Sequence, residues 1–258
     1  MEWQERFGPW AVVTGASDGI GEAIARELAA RGLRLVLVAR REERLRALDA
    51  ELGGHGRVVV ADLATREGVL AVIEAAADLD VGLLVASAGF GTSGAFVEGD
   101  LQAEFSMLDV NCRAVCALAH HFGKRLVARK RGGMVLMSSL LAFQGTPGAA
   151  HYAATKAYVQ TFAEGLAREL APHGVAVLAS APGPVHTGFA ERADMKMSMG
   201  ITPEQVARGT VRALGRRTTV RPGWLSKFLE GSMAFLPRAL RARILGRVMG
   251  SMIAHQRA

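Results

Sequence analysis

The sequence predicts an α/β fold: one doubly wound domain with a parallel sheet, followed by a C-terminal helical extension. Three observations carry that expectation. Short apolar runs alternate with segments of helical period up to about residue 180, and such alternation implies a parallel sheet covered on both faces. The first apolar run leads directly into a glycine-rich turn that opens a helix. The 258 residues are 50% hydrophobic, with no internal repeat and no low-complexity linker, so sheet and helices can share a single core.

Taken in order, Trp10-Ala-Val-Val13 reads as a buried strand, and Thr14-Gly-Ala-Ser-Asp-Gly-Ile-Gly21 as the turn into a helix ending near Arg31. A second strand is expected over 33–39, then a charged, leucine-spaced helix over 42–52 that stops at Gly53-Gly54. Strand 58–61, helix 65–78 and strand 82–86 follow, then a long helix over 101–130. The strand Met134-Val-Leu-Met137 reaches Ser138-Ser139, and a loop through Gly145, Pro147 and Gly148 enters a helix carrying Tyr152 and Lys156. A strand over 175–179 completes the alternation.

Composition excludes several classes. The N-terminus, Met1-Glu-Trp-Gln-Glu-Arg6, lacks the apolar stretch of a signal peptide. No continuously apolar stretch approaches the roughly 20 residues of a membrane span. Two cysteines, Cys112 and Cys116, give no disulfide framework and suit a reducing cytoplasm. Cys112, Cys116 and His120 share a helical face, yet no further ligand follows at zinc spacing, so no metal is expected. The net charge of +7 is local: nine Arg and Lys against Glu230 lie beyond residue 215, while the preceding 215 residues carry −1. A neutral body without a base-reading motif argues against nucleic acid.

Two stretches carry chemistry. Gly15, Gly19 and Gly21 are spaced to permit a tight turn, backbone approach to a pyrophosphate and close helix–strand packing, with phosphates at a helix N-terminus. Tyr152 and Lys156, four apart on a helix, share one face. An ammonium beneath the phenol is expected to pull its pKa down from about 10, making Tyr152 a proton donor near neutral pH. Ser139 comes off the preceding strand, where its hydroxyl could bond the same substrate oxygen. An NAD site of this kind needs a carboxylate at the end of the second strand to hold the ribose diol. Here Ala39, Arg40 and Arg41 stand instead, and Arg40 suits a 2′-phosphate, which points to NADP(H).

With these residues in this order, the stretch from Trp10 to Arg217 resembles the short-chain dehydrogenase/reductase family. The glycine turn matches T-G-x-x-x-G-x-G, and Asp62-Leu63 is similar to the adenine-contacting pair. Ala86-Ser-Ala-Gly89 matches N-N-A-G in part, and Pro182-Gly-Pro-Val-His-Thr187 matches P-G-x-V-x-T. Asn111, Ser139, Tyr152 and Lys156 match the active-site set. The resemblance implies a Rossmann-type domain over 1–221 and a basic amphipathic extension over 222–258. It implies a carbonyl–alcohol oxidoreductase with Tyr152 as proton donor, Ser139 polarising the substrate oxygen, and Lys156 lowering the tyrosine pKa and holding the nicotinamide ribose. Asn111 would anchor a water relay. Cofactor contacts would come from Gly15, Ser17, Gly19, Ile20, Gly21, Arg40, Asp62, Leu63, Ala88, Gly89, Tyr152, Lys156, Pro182, Gly183, Val185 and Thr187, with His186 a bystander. Two positions depart from the pattern: Asp18 stands where NADP-preferring relatives carry a basic residue, and Ser87 replaces an asparagine that steadies the sheet.

Phe90, Phe96, Phe143, Phe189, Met195, Met197 and Met199 lie in segments expected to rim the pocket, favouring a lipophilic ketone or alcohol. A ketoreductase of acyl thioesters and a non-catalytic nucleotide-binding scaffold or sensor are the alternatives. A homodimer or homotetramer is expected through the helices over 101–130 and 152–169, with Ala154, Ala157, Ala163 and Ala167 allowing close approach. Beyond Pro222-Gly223 two helical patterns, 224–236 and 237–253, place Leu240, Ile244, Leu245, Val248 and Met252 on an apolar stripe. Arg238, Arg241, Arg243 and Arg247 accompany it. Such a stripe closes the pocket or the dimer, or else lies on an anionic membrane surface.

Overall fold

The computed structural model describes residues 3–196, 200–223 and 237–257; Met197, Met199 and the pattern expected over 224–236 lie outside them. A short helix α1 (Trp3–Phe7) precedes β1 (Trp10–Thr14), α2 (Gly19–Ala29), β2 (Arg34–Ala39), α3 (Glu42–Glu51), β3 (Arg57–Val60) and α4 (Arg66–Ala75). Then come β4 (Val81–Ala86), α5 (Leu101–Leu108), α6 (Val115–Arg129), β5 (Gly132–Met137), α7 (Ala150–Leu170) and β6 (Val175–Ser180). Helices α8 (Gly188–Arg192) and α9 (Pro203–Ala213), strand β7 (Thr219–Val220) and helix α10 (Arg238–Met252) complete the described chain.

The strands form one parallel sheet in the order β3-β2-β1-β4-β5-β6-β7. Because β4 returns to the far side of β1, the winding reverses there and a crevice opens at the carboxyl ends of the two strands. Val13 pairs with Leu37 on one side and Val85 on the other. Every residue of β1 is buried, and the strand's two-residue period divides them between two cores. Trp10 and Val12 pack with Val72, Phe122, Leu126 and Val159 of α4, α6 and α7; Ala11 and Val13 pack with Ile24, Leu28 and Val211 of α2 and α9. No helix among the described residues is long and apolar enough to cross a membrane.

Two expectations are corrected, and β7 and α9 are new. The single helix over 101–130 is α5 and α6 joined by a π-helical turn, Asp109–Ala114, which carries Asn111; a period-based reading does not see one inserted residue. Ala163 and Ala167 of α7 are buried in the chain's own core against the sheet, so they are not open to a partner, whereas Ala154 is exposed. The strand β7 was not foreseen, being two residues long. Helix α9 was also missed, although Thr202 and Gln205 form a capping box with Pro203 in the first turn, a signal present in the sequence.

Candidate active site

Strand β5 and helix α7 build the floor of the crevice. The backbone leaves β5 at Ser138, whose hydroxyl donates to the Lys156 carbonyl at 3.2 Å and ties the strand end to α7. Ser139 caps the following turn, accepting from the Leu141 N–H at 3.2 Å. Tyr152 sits in the first turn of α7 and Lys156 one turn later; both are buried. The Ser139 hydroxyl lies close enough to the Tyr152 phenol to favour its charged form. Lys156 Nζ donates to the Met137 carbonyl at 2.9 Å and lies 5.8 Å from the centre of the Tyr152 ring.

The electrostatics differ from the sequence expectation. Burial pushes the Tyr152 phenol up to about 12, only partly offset by the Ser139 hydroxyl. Burial also brings the Lys156 ammonium down to about 8. Desolvation disfavours the charged form of each group, and the ammonium is turned to a strand-end carbonyl rather than to the phenol oxygen. The tyrosine therefore holds its proton firmly at neutral pH.

Asn111 does not line the crevice. The π-turn places it fully buried behind Gly89. Its Nδ2 donates to the Phe90 carbonyl at 2.9 Å and to Thr155 Oγ1 at 3.0 Å, and its Oδ1 accepts from the Phe90 N–H at 3.2 Å. It thus fastens the loop after β4 to α7. A methyl on Gly89 would lie 2.9 Å from Asn111 Oδ1 and 3.3 Å from Lys156 Nζ, so only glycine lets the backbone pass between them.

The opposite end is built by the turn between β1 and α2. Gly15 (φ +69°) passes so close to the next strand's loop that a Cβ would lie 2.9 Å from the Ala88 backbone. Gly19 (φ +57°) likewise abuts Thr187, which caps α8. Thr14 Oγ1 accepts from the Ser87 and Ala88 N–H groups at 3.1 and 3.0 Å. The loop containing Ser87 is therefore held from β1, whatever the missing asparagine would have added. Asp18 pairs with Arg41 at 3.2 Å, and Arg41 also donates to the Ser17 carbonyl at 3.0 Å. Arg40 faces the crevice beside it.

Together these walls enclose a cavity of about 610 Å³. Every residue expected to touch a cofactor lines it, as does Ser139; His186 does not. Of the expected apolar rim, Phe90, Phe189 and Met195 line it; Phe96 and Phe143 do not. Phe96 is half exposed beside His151, and Phe143 lies under Arg221. The sequence reading missed Arg192, which lines the cavity with its guanidinium 4.4 Å from the Phe90 ring centre. It also left undecided that α10 supplies a wall: Leu245, Val248, Met249 and Met252 line the cavity. Leu245, Met249 and Ile253 form the buried face of this segment, while Leu240 and Val248 are substantially exposed. The expected stripe had omitted Met249 and Ile253. Among the described residues no cluster of His, Cys, Asp and Glu could hold a metal ion.

Fold and site together define an oxidoreductase built on a dinucleotide-binding parallel sheet. The chain belongs to the short chain dehydrogenase family, whose pattern matches residues 9–198. It is 34% identical over 235 residues to the 7beta-hydroxysteroid dehydrogenase of Clostridium sardiniense, with 88% of this chain and 90% of that protein covered. A solved 7beta-hydroxysteroid dehydrogenase superposes with a TM-score of 0.88 and 25% identity, over 95% of this chain and 100% of the other. A short-chain dehydrogenase from Sphingobium yanoikuyae in complex with NADPH superposes with a TM-score of 0.79 and 30% identity, over 90% of this chain and 98% of that one.

Proposed function

We propose that this protein is an NADP(H)-dependent oxidoreductase interconverting a lipophilic ketone and its secondary alcohol. The observation that carries the reading is the meeting of Ser139, Tyr152 and Lys156 on the floor of a cavity with a glycine-lined end and an apolar end. The glycine end suits a dinucleotide: without side chains, Gly15 and Gly19 let the turn close against Ala88 and Thr187, and the α2 N-terminus opens onto the cavity. Bound NADP(H) would supply or accept the hydride. Ser139 would donate to the substrate oxygen and polarise the carbonyl. Tyr152 would hold a proton on its phenol oxygen and release it to the developing alkoxide. Lys156 would steady the charge left on the tyrosine, and Asn111 would act through the Phe90 loop and Thr155 as a positioning residue.

The preference for NADP(H) rests on Ala39 and Arg40 at the end of β2. Arg41 is engaged by Ser17 and Asp18, which leaves Arg40 to face a 2′-phosphate. The NADPH-bound neighbour is in keeping with this. NADPH is expected to bind at least about tenfold tighter than NADH in fluorescence titration, and Arg40→Ala to remove most of the difference. Equal affinities in the wild type would refute the assignment.

The apolar end, walled by Phe189, Met195, Leu245 and Met249, favours a lipophilic substrate, in line with the names of the steroid-acting relatives. Since Leu245, Met249 and Met252 of α10 line this pocket, we assign the described part of the extension, residues 237–257, to substrate binding. The two free cysteines are in keeping with a reducing cytoplasm. The deciding experiment is NADPH oxidation against a panel of ketones, aldehydes and acyl thioesters, with Tyr152→Phe as control. Lipophilic ketones are expected to be turned over, and the control to lose activity by orders of magnitude with NADPH binding retained. Turnover of thioesters alone would favour the carrier-linked alternative, and NADPH binding without turnover the sensor.

A further inference from the structure

The C-terminal arm does more than rest on the pocket. Beyond α10, His255 Nε2 pairs with Asp194 Oδ1 at 2.9 Å, and Gln256 Nε2 donates both to the Asp194 carbonyl at 2.7 Å and to Ser93 Oγ at 2.9 Å. Ser93 Oγ in turn donates to the Ala193 carbonyl at 2.6 Å, and the Lys196 N–H donates to the Met252 carbonyl at 3.0 Å. One glutamine amide thus joins three segments: the loop after β4, the turn after α8, and the chain's own end. Asp194 holds the turn in the left-handed region at φ +48°, a conformation an aspartate tolerates better than most residues.

These bonds lie on the outside of the cover, and the apolar residues lie on its inside. Met249 is buried in one cluster with Tyr152, Ala149 and Met107, against which Phe189 and Met195 also pack. Phe189 comes from α8 and Met249 from α10, so the position of either over the tyrosine depends on the two segments staying together. The Phe189 ring lies 5.3 Å from that of Tyr152. None of Ser93, Asp194, His255 or Gln256 lines the cavity.

We propose that Ser93, Asp194, His255 and Gln256 form a latch that holds α8 and α10 together as one apolar cover, and that this cover makes the site selective for a bulky, polycyclic lipophilic ketone or alcohol. The proposal rests on the oxidoreductase reading for its substrate and on the hydrogen bonds for its latch. These are positioning residues: they touch neither hydride donor nor reacting carbonyl. A ligand large enough to reach Met249 and Met195 gains from an ordered cover, because its apolar surface is buried against side chains already in place. A small cyclic ketone, held by Ser139 and Tyr152 alone, gains nothing.

The test uses the full chain and three variants: Gln256→Glu, which keeps length but removes the amide donors; Ser93→Ala; and Ser93→Thr, which keeps the hydroxyl. KM and kcat are measured for a polycyclic ketone and for cyclohexanone, together with the NADPH Kd. Gln256→Glu and Ser93→Ala are expected to raise KM for the polycyclic ketone at least about fivefold, with its kcat, the NADPH Kd and the cyclohexanone kcat/KM held within about twofold. Ser93→Thr should restore the wild-type KM. Amide hydrogen exchange at Lys196 and Gln256 should accelerate together in the first two variants, since one amide side chain fastens both segments. Equal loss on both ketones, or unchanged exchange at Lys196 in Gln256→Glu, overturns the latch. If the wild type turned over no ketone, the oxidoreductase reading would fail by itself. Hydrogen exchange and equilibrium binding of the polycyclic ketone would still decide the latch.

Discussion

Lys156 is a cation kept in a dry site, and its position sets stability against function. Its pKa in the folded protein is near 8 against an ordinary 10.5, because burial disfavours the ammonium. Below pH 8 both folded and unfolded chains carry the proton and the folded state bears the full desolvation cost. Between 8 and about 10 the unfolded chain binds a proton that the folded one has released, so this group makes stability rise with pH. Lys156→Met, which keeps the length and removes the charge, is expected to raise the unfolding free energy at pH 7 by on the order of 2 kcal/mol while abolishing turnover. It should also flatten the rise between pH 8 and 10 in urea titrations. A variant less stable than wild type at pH 7 would mean that the Met137 carbonyl bond outweighs the desolvation. Tyr152, raised to about 12, keeps its proton over the same range.

At the scale of elements, strands β1 and β4 are joined at their carboxyl ends by one hydroxyl. Thr14 Oγ1 accepts from two successive N–H groups of the loop after β4 and donates to the Val85 carbonyl at 3.4 Å. That loop carries Ala88 and Gly89 against the glycine turn, so its position shapes the dinucleotide end. Thr14→Val keeps the shape and leaves both donors unpaired. It is expected to cost about 1–3 kcal/mol of stability and to weaken NADPH binding, read by chemical denaturation and fluorescence titration. Unchanged stability and affinity would show that water replaces the hydroxyl. The same scale explains the uneven legibility of the site. The glycine turn, Ser139, Tyr152 and Lys156 were readable because each sits at a strand end or at helical spacing, where local geometry forces proximity. Arg41, Arg192 and Met249 were not, since their place depends on how separate segments pack.

At the scale of the molecule, one face is apolar and open among the described residues. Leu101, Phe105 and Leu108 recur on the outer side of α5, each between 42% and 52% exposed, with Phe96 and Val97 ahead of them and Tyr158 on the neighbouring α7. Apolar residues at that spacing mark a surface made to be covered, and we expect a second copy of the chain to cover it. Sedimentation is expected to show a dimer or tetramer, and Phe105→Glu to shift it towards monomer with the fold intact by circular dichroism. A wild-type monomer at all concentrations would refute this. The arrangement differs from the alanine-lined seam read in the sequence, because Ala163 and Ala167 are already buried against the sheet.

The sequence by itself determined the strand–helix alternation, the glycine turn after β1, the grouping of Ser139, Tyr152 and Lys156, and the absence of a carboxylate after β2. These are local signals: hydrophobic period, glycine where backbone must approach backbone, and side chains one helical turn apart. Only the tertiary structure decided that burial raises Tyr152 rather than lowering it, and that Asn111 stands behind the wall. It also decided that α10 turns Leu245, Met249 and Met252 to the pocket. Desolvation and packing depend on residues as far as 163 positions apart, as between Ser93 and Gln256, and no local pattern in the chain encodes which of them meet.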